Sequence, residues 1–401
     1  MKKQTLSLLS AVAVAALVGT FATPAAAERT AKIAGFGVKS GVFRSFGINT
    51  EAVMQAAVEK INAEGGVKLG DGTMAMMEMT FDDDRCNAEE GISVLRRIAS
   101  SDAMVAVGPT CSNVAEPLFG VLQRHVDDAG DSGLQLPVFT DTAIKGGLAK
   151  ISEWAFRNVP SESEMYRTLF QWVKDGNPDL KTVYGGVEED FAHSRFTWYS
   201  VMDKRAQEAG FEVVGFSKWL WSDTNFTQQV RAMKKAKADV VAISSHPFTL
   251  CGLLKEMKRQ RVKTELVIGL TSSSSMETMQ GCPKAAEGII IPSSFAPVTE
   301  QAKMVADLTV EKGGNADLHS AAAWEIVYVL KDVMESEGVM GKPDTVQEDR
   351  RKIRDGLAKL QTTAGLIGTI VREDDGEATK PYLYVHAKDG EWAVLHDPSA
   401  S

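Results

Sequence analysis

Apolar positions recur along this chain at two alternating periods. Residues 31–36 form a short apolar run. From about residue 48 to residue 62, Ala52, Val53, Ala56, Ala57 and Ile61 then fall on one helical face. Met77, Met79 and Phe81 alternate with Glu78 and Thr80, the period of a strand. Asn87, followed three residues later by Glu90, matches a capping box. It predicts a helix whose core face is Val94, Leu95 and Ile98. Residues 104–107 and 136–139 read as the next strands. Strands alternating with helices favour a parallel sheet covered by helices on both faces.

The pattern then restarts. Residues 182–184, 211–216, 239–243 and 266–270 read as four strands, separated by helical stretches near 195–208, 226–235 and 249–260. After 288–291 the character changes, with three mainly helical stretches between 299 and 360. Strands at 366–372 and 382–387 finish the chain. Two α/β series in succession predict two doubly wound parallel-sheet lobes of similar build. The helical block after the second series predicts that the chain returns to complete the first lobe.

The N-terminus adds a compartment. Lys2 and Lys3 precede an apolar run from Leu6 to about Val18, and Ala25-Ala26-Ala27 offers a small-residue cleavage site. The run is shorter than the roughly 20 residues that span a bilayer. Residues 1–27 are therefore expected to be a signal peptide, cut near Ala27, that delivers a soluble chain outside the cytoplasm. Without Lys2 and Lys3 the formal charge of −9 becomes −11. That balance argues against nucleic acid or an anionic membrane surface as a partner.

Four cysteines, Cys86, Cys111, Cys251 and Cys282, allow three disulfide connectivities. In an exported protein pairing is favoured over a metal site or a nucleophile, and no pair has C-x-x-C spacing. Cys86 and Cys111 each follow a predicted strand, which places both at one sheet edge, so 86–111 is expected, with 251–282 as the other pair. Enzyme signatures are weak. Gly35, Gly37 and Gly41 follow a strand, but residues 43–46 read as loop where a dinucleotide fingerprint needs a helix. No G-x-S-x-G, H-E-x-x-H or Walker sequence occurs. Asp82-Asp83-Asp84 lacks the spacing of a calcium loop. No metal, cofactor or catalytic residue is expected.

Several stretches resemble one family in order and spacing. They are Lys39-Ser40-Gly41 with Phe46-Gly47, Ile61-Asn62-Ala63-Glu64-Gly65-Gly66-Val67, Phe81-Asp82-Asp83 and Gly108-Pro109-Thr110-Cys111-Ser112-Asn113. Further along come Phe156-Arg157-Asn158, Asp223 with Asn225-Phe226-Thr227, Ala238-Asp239-Val240-Val241 and Ala286-Glu287-Gly288. The chain resembles the type I periplasmic binding proteins of the branched-chain amino acid and amide class, the solute receptors of ABC importers. The 25-residue separation of Cys86 and Cys111 also resembles that family's disulfide. The resemblance implies two lobes joined by three hinge crossings, near 157–160, 291–293 and 365–369. The N-terminal lobe would be 28–158 plus 293–365, and the C-terminal lobe 159–292 plus 366–401. It further implies closure on a small solute, permease subunits in the inner membrane as partners, and a monomer. A periplasmic sensor that presents the same kind of solute to a separate signalling protein is the alternative.

The resemblance also places a site. Ser112 follows a strand and opens a helix, where it either caps the helix or, as in the family, binds a ligand carboxylate with Asn113 beside it. Ile144 stands where the family has a second carboxylate contact, so either Thr142 substitutes, or Arg44 compensates, or the ligand is not a simple carboxylate. Thr271 stands where the family holds an ammonium with a glutamate. Phe191 and Ser245 replace aromatic contacts, with His193 and His246 as polar groups nearby. Asp141 is either a turn residue or a cation contact. Phe46 and Phe43 are expected on the first-lobe wall, and Trp219 and Trp221 in the core or at the rim. These departures imply a solute with fewer zwitterionic demands than leucine, such as an organic acid or amide.

Overall fold

The computed structural model describes residues 29–400; the expected signal peptide lies outside them. Six strands make the first sheet: β1 (Thr30–Gly37), β2 (Val67–Lys68), β3 (Met74–Asp83), β4 (Val105–Val107), β5 (Val138–Thr140) and β6 (Ala155–Arg157). Their order is β2-β3-β1-β4-β5-β6, parallel except for the short β2. The second sheet begins with β7 (Thr182–Glu188), β8 (Glu212–Trp219), β9 (Val240–Ser244), β10 (Leu266–Gly269) and β11 (Ile290–Ser293). A small antiparallel sheet follows, made of β12 (Thr362–Gly365), β13 (Gly368–Arg372) and β14 (Ala378–Thr379). The chain then re-enters the second sheet as β15 (Leu383–Lys388) and β16 (Glu391–His396), giving the order β16-β15-β11-β10-β9-β7-β8.

Both sheets are covered on two faces, so strands such as β4, β5 and β9 are buried at every residue rather than alternating. Helix Ser320–Ser336 shows the same logic in three dimensions. Its AAAWEIVYVL run is buried nearly all round because helices Arg44–Ala63, Glu300–Glu311 and Val346–Lys359 and strand β2 pack around it. Asn87 caps helix Ala88–Ala99 by accepting from the Glu89 and Glu90 amides. Among the described residues no helix is long and apolar enough to cross a membrane.

Three differences from the sequence reading have physical causes. The helix expected from residue 48 starts at Arg44, because Gly47 lies against the Val38 carbonyl, where a Cβ would come within 2.2 Å. Arg44 is thus the first residue of a helix rather than part of a loop. The helix expected over 195–208 contains a π-helical stretch, Thr197–Met202. Residues 391–396 add a final edge strand whose apolar residues are only partly buried, which blurs its period.

Both expected disulfides are present, Cys86–Cys111 and Cys251–Cys282, with Cα separations of 5.6 and 5.4 Å. The first ties the turn after β3 to the start of helix Ser112–Phe119. The chain passes between the lobes after β6, after β11, and through the small β12–β14 sheet.

The first and third of these passages meet at one buried acid. Glu325 accepts from Asn158 Nδ2 at 2.7 Å and from the Leu366 amide at 2.9 Å, and it pairs with the buried Lys380 ammonium. Asn158 Nδ2 also donates to the Ala322 carbonyl. Burial pulls the Lys380 ammonium down from its ordinary range, and Glu325 opposes that pull.

Candidate functional site

In open α/β sheets, ligand sites form outside the carboxyl ends of the strands. Here those ends face each other. From the first lobe come Phe43 and Phe46 after β1, Ser112 after β4, and Asp141 and Thr142 after β5. From the second come Glu188 at the end of β7 with Phe191 beyond it, Ser245 and His246 after β9, and Thr271 after β10.

Aromatic and imidazole rings join the two sides in one buried cluster. Phe43 lies 6.2 Å from Phe46 and crosses to Phe191 at 5.1 Å, to His246 at 5.5 Å and to Trp221 at 5.9 Å. Phe191 meets His246 at 4.3 Å, and His246 meets His193 at 5.4 Å. Phe46 completes the chain with an edge contact to His319 at 5.1 Å. Such separations are those of favourable ring pairs.

Two of the histidines rest on buried glutamates. His246 Nδ1 lies 2.6 Å from Glu188, which also accepts from the Thr249 hydroxyl. His193 Nε2 lies 3.0 Å from Glu162, which accepts as well from the Thr197 and Thr271 hydroxyls. Burial alone would push the Glu162 carboxyl up. His193 and the two threonines outweigh it and hold that carboxyl below its usual range. His319 differs. It is buried, and neither ring nitrogen has a hydrogen-bond partner among the described residues. Burial pulls this imidazole well below its ordinary value, and the nearby His193 and His246 add to the effect, so it is neutral.

The lobes also touch through the backbone. The Ala192 amide donates to Asn113 Oδ1 at 2.6 Å, next to Phe191. Closure is an equilibrium that ligand binding shifts, and this bond belongs to the closed side. One hydrogen bond contributes about 1 kcal/mol. Asn113→Ala is therefore expected to weaken solute binding roughly fivefold at unchanged stoichiometry, as read by calorimetric titration.

Below the first-lobe wall lie two acids. Asp141 accepts from Thr50 Oγ1 at 2.6 Å, and burial pushes its carboxyl up to about 6. Burial pushes Asp84 up to about 7; the Cys86 amide offsets part of this, and Asp83 and Asp141 add to it. A raised carboxylate pKa stabilises the fold at low pH, and that stability is lost as pH rises toward the folded-state value. Asp84→Asn should therefore match the native protein near pH 3, below the ordinary aspartate value of 3.8, and exceed its stability at pH 8. At about 1.4 kcal/mol per unit the shift from 3.8 to about 7 gives a gain of roughly 4 kcal/mol, visible as a higher Tm in thermal denaturation.

A sequence model of periplasmic binding proteins matches residues 30–391. The chain belongs to this family.

Relatives of this binding protein include the Leu/Ile/Val-binding protein homolog 3 of Brucella melitensis. It is 25% identical over 378 residues, covering 94% of this chain and 95% of the relative. The leucine-, isoleucine-, valine-, threonine-, and alanine-binding protein of Pseudomonas aeruginosa is 22% identical over 356 residues, covering 88% and 90%. Among solved structures, the leucine binding protein LivK of Thermotoga maritima superposes with a TM-score of 0.77 at 17% identity, covering 92% of this chain and 99% of that one. A solute binding protein of R. palustris in complex with benzoate gives 0.76 at 15% identity, covering 92% and 96%. The type I two-lobed α/β fold is thereby established. The relatives are binding proteins, and this chain has a periplasmic solute-binding role rather than an enzymatic one.

The binding protein places its sequence-predicted site residues unequally. Phe46, Phe191 and His246 all join the ring cluster, with Phe43 and His193. Ser112 is buried, and its hydroxyl accepts from the Lys145 amide at 3.2 Å, leaving its proton for another acceptor. Thr142 is buried after β5 beside Asp141. The Ser245 hydroxyl is buried and has no partner among the described residues. Thr271 is committed to Glu162. Arg44 points to the exposed side, 3.4 Å from the Gly41 carbonyl. Trp219 is core and Trp221 is rim. Glu162, Glu188 and His319 were not singled out from the sequence. An acid ending an apolar strand was the available signal for Glu188; His319 offered none.

Proposed function

We propose that the protein is the substrate-binding component of an ABC importer, capturing a small polar organic solute between its lobes and presenting it to permease subunits in the inner membrane. In this reading residues 1–27 are a signal peptide removed near Ala27, and the mature protein is a monomer. The lobes are 28–158 plus 293–365 and 159–292 plus 366–401. The observation that carries the reading is His319: a buried imidazole at the lobe interface, with neither nitrogen partnered among the described residues. A buried polar group without a partner is costly, so its place at a cleft is that of a ligand contact.

The solute is an organic acid or amide rather than leucine. Glu162 and Glu188, the buried acids of the second lobe, are engaged by His193 and His246, and Thr271 serves Glu162 instead of an ammonium. Ser112, at a helix N-terminus, suits an anionic or carbonyl oxygen. Mass spectrometry of the solute released on denaturing the purified protein, followed by titration of the refolded chain, tests this. One small acid or amide per chain is expected, and its uptake by cells should be lost when the gene is deleted. Tight leucine binding would refute the ligand class. Intact uptake in the deletion strain would refute the importer role.

A further inference from the structure

The ring cluster borders a cavity that shares Phe43 and Phe46 with it. Between Phe43 and Phe46 of the first lobe and Phe226, Pro247 and Phe248 of the second lies a cleft of about 380 Å³, within the range of pockets for organic ligands. Its floor is shaped. Gly252 of helix Pro247–Gln260 sits so close to the Phe226 ring that a Cβ would come within 2.4 Å, and this glycine lets the helix lie flat on that ring. Phe43 and Phe46 belong both to this cavity and to the buried cluster that ends at His319. Polar recognition and apolar space therefore share two walls.

We infer that the solute carries an aromatic ring, seated among Phe43, Phe46, Phe226 and Phe248 in this cleft. Four phenyl walls favour edge-to-face and offset contacts that a planar ring makes and a branched aliphatic chain does not. The inference rests on the solute-binding reading above and adds the substrate class.

The test titrates the refolded chain with acetate, isovalerate, leucine, phenylacetate and phenylpropionate, together with the matching amides of the acids. Binding by the aromatic members should exceed that of the aliphatic ones by tenfold or more. Thr224→Trp, an exposed loop substitution that fills the same cleft, should weaken the aromatic members at least tenfold and leave the small ones unchanged. Phe248→Ala, on the opposite wall, should weaken them severalfold if the tryptophan variant does not fold. Isovalerate or leucine binding as tightly as the aromatic members overturns the inference and leaves the solute-binding reading standing. Aromatic binding unmoved by either variant does the same. No binding of any member, with no small solute released from the purified protein, overturns both.

Discussion

Glu325→Ala is expected to lower stability by about 3–5 kcal/mol, the range found when one partner of a buried ion pair is removed. The acid holds Lys380, Asn158 and the Leu366 amide at once. Its loss leaves an uncompensated buried ammonium and two donors without acceptors. Chemical denaturation should show a lower midpoint at an unchanged slope, because the surface exposed on unfolding stays the same. The double variant Glu325→Met with Lys380→Met should recover most of the loss, since a buried pair replaced by apolar side chains is often neutral in stability. If the single variant is as stable as the native protein, the hinge is not held by this acid.

Ser112→Ala is expected to weaken solute binding by roughly ten- to a hundredfold while moving Tm little. A hydrogen bond to a charged group contributes roughly 1.5–3 kcal/mol. The hydroxyl sits at the first residue of helix Ser112–Phe119, where the leading amides have no partners within the helix and the dipole favours negative charge. The Cys86–Cys111 bridge, one residue away, fixes where that helix begins. A purely structural serine would behave in the opposite way, with a lower Tm and unaltered affinity. Titration and thermal denaturation of the same sample separate the two cases.

The two α/β series were legible because some strands, such as β4 and β9, are buried over their whole length, others, such as β3, alternate, and the helices carry one-sided faces, as in Ala52, Val53, Ala56, Ala57 and Ile61. The family resemblance then pointed to Ser112, Thr142, Ser245 and His246, which follow β4, β5 and β9 at the carboxyl edges of the two sheets. Partners were not legible. His246 and Glu188 are 58 residues apart, and Asn158 and Glu325 are 167 apart. Periodicity reports which face a residue occupies, not what meets it there. Thr271 shows the consequence: it follows β10, and its hydroxyl is taken up by Glu162, 109 residues earlier. His319 precedes a helix that is apolar all round and sits on no periodic face, so only folding brings it to Phe46. Arg44, expected in a loop, is the first residue of its helix and is exposed.

Small-angle scattering of the chain lacking residues 1–27 tests the closing of two lobes on a solute most directly. The protein is stripped of its solute by unfolding and refolding, then measured before and after the released solute is added back. A smaller radius of gyration on re-addition, saturating at one equivalent, is the predicted result. Stoichiometric binding with an unchanged radius would contradict it.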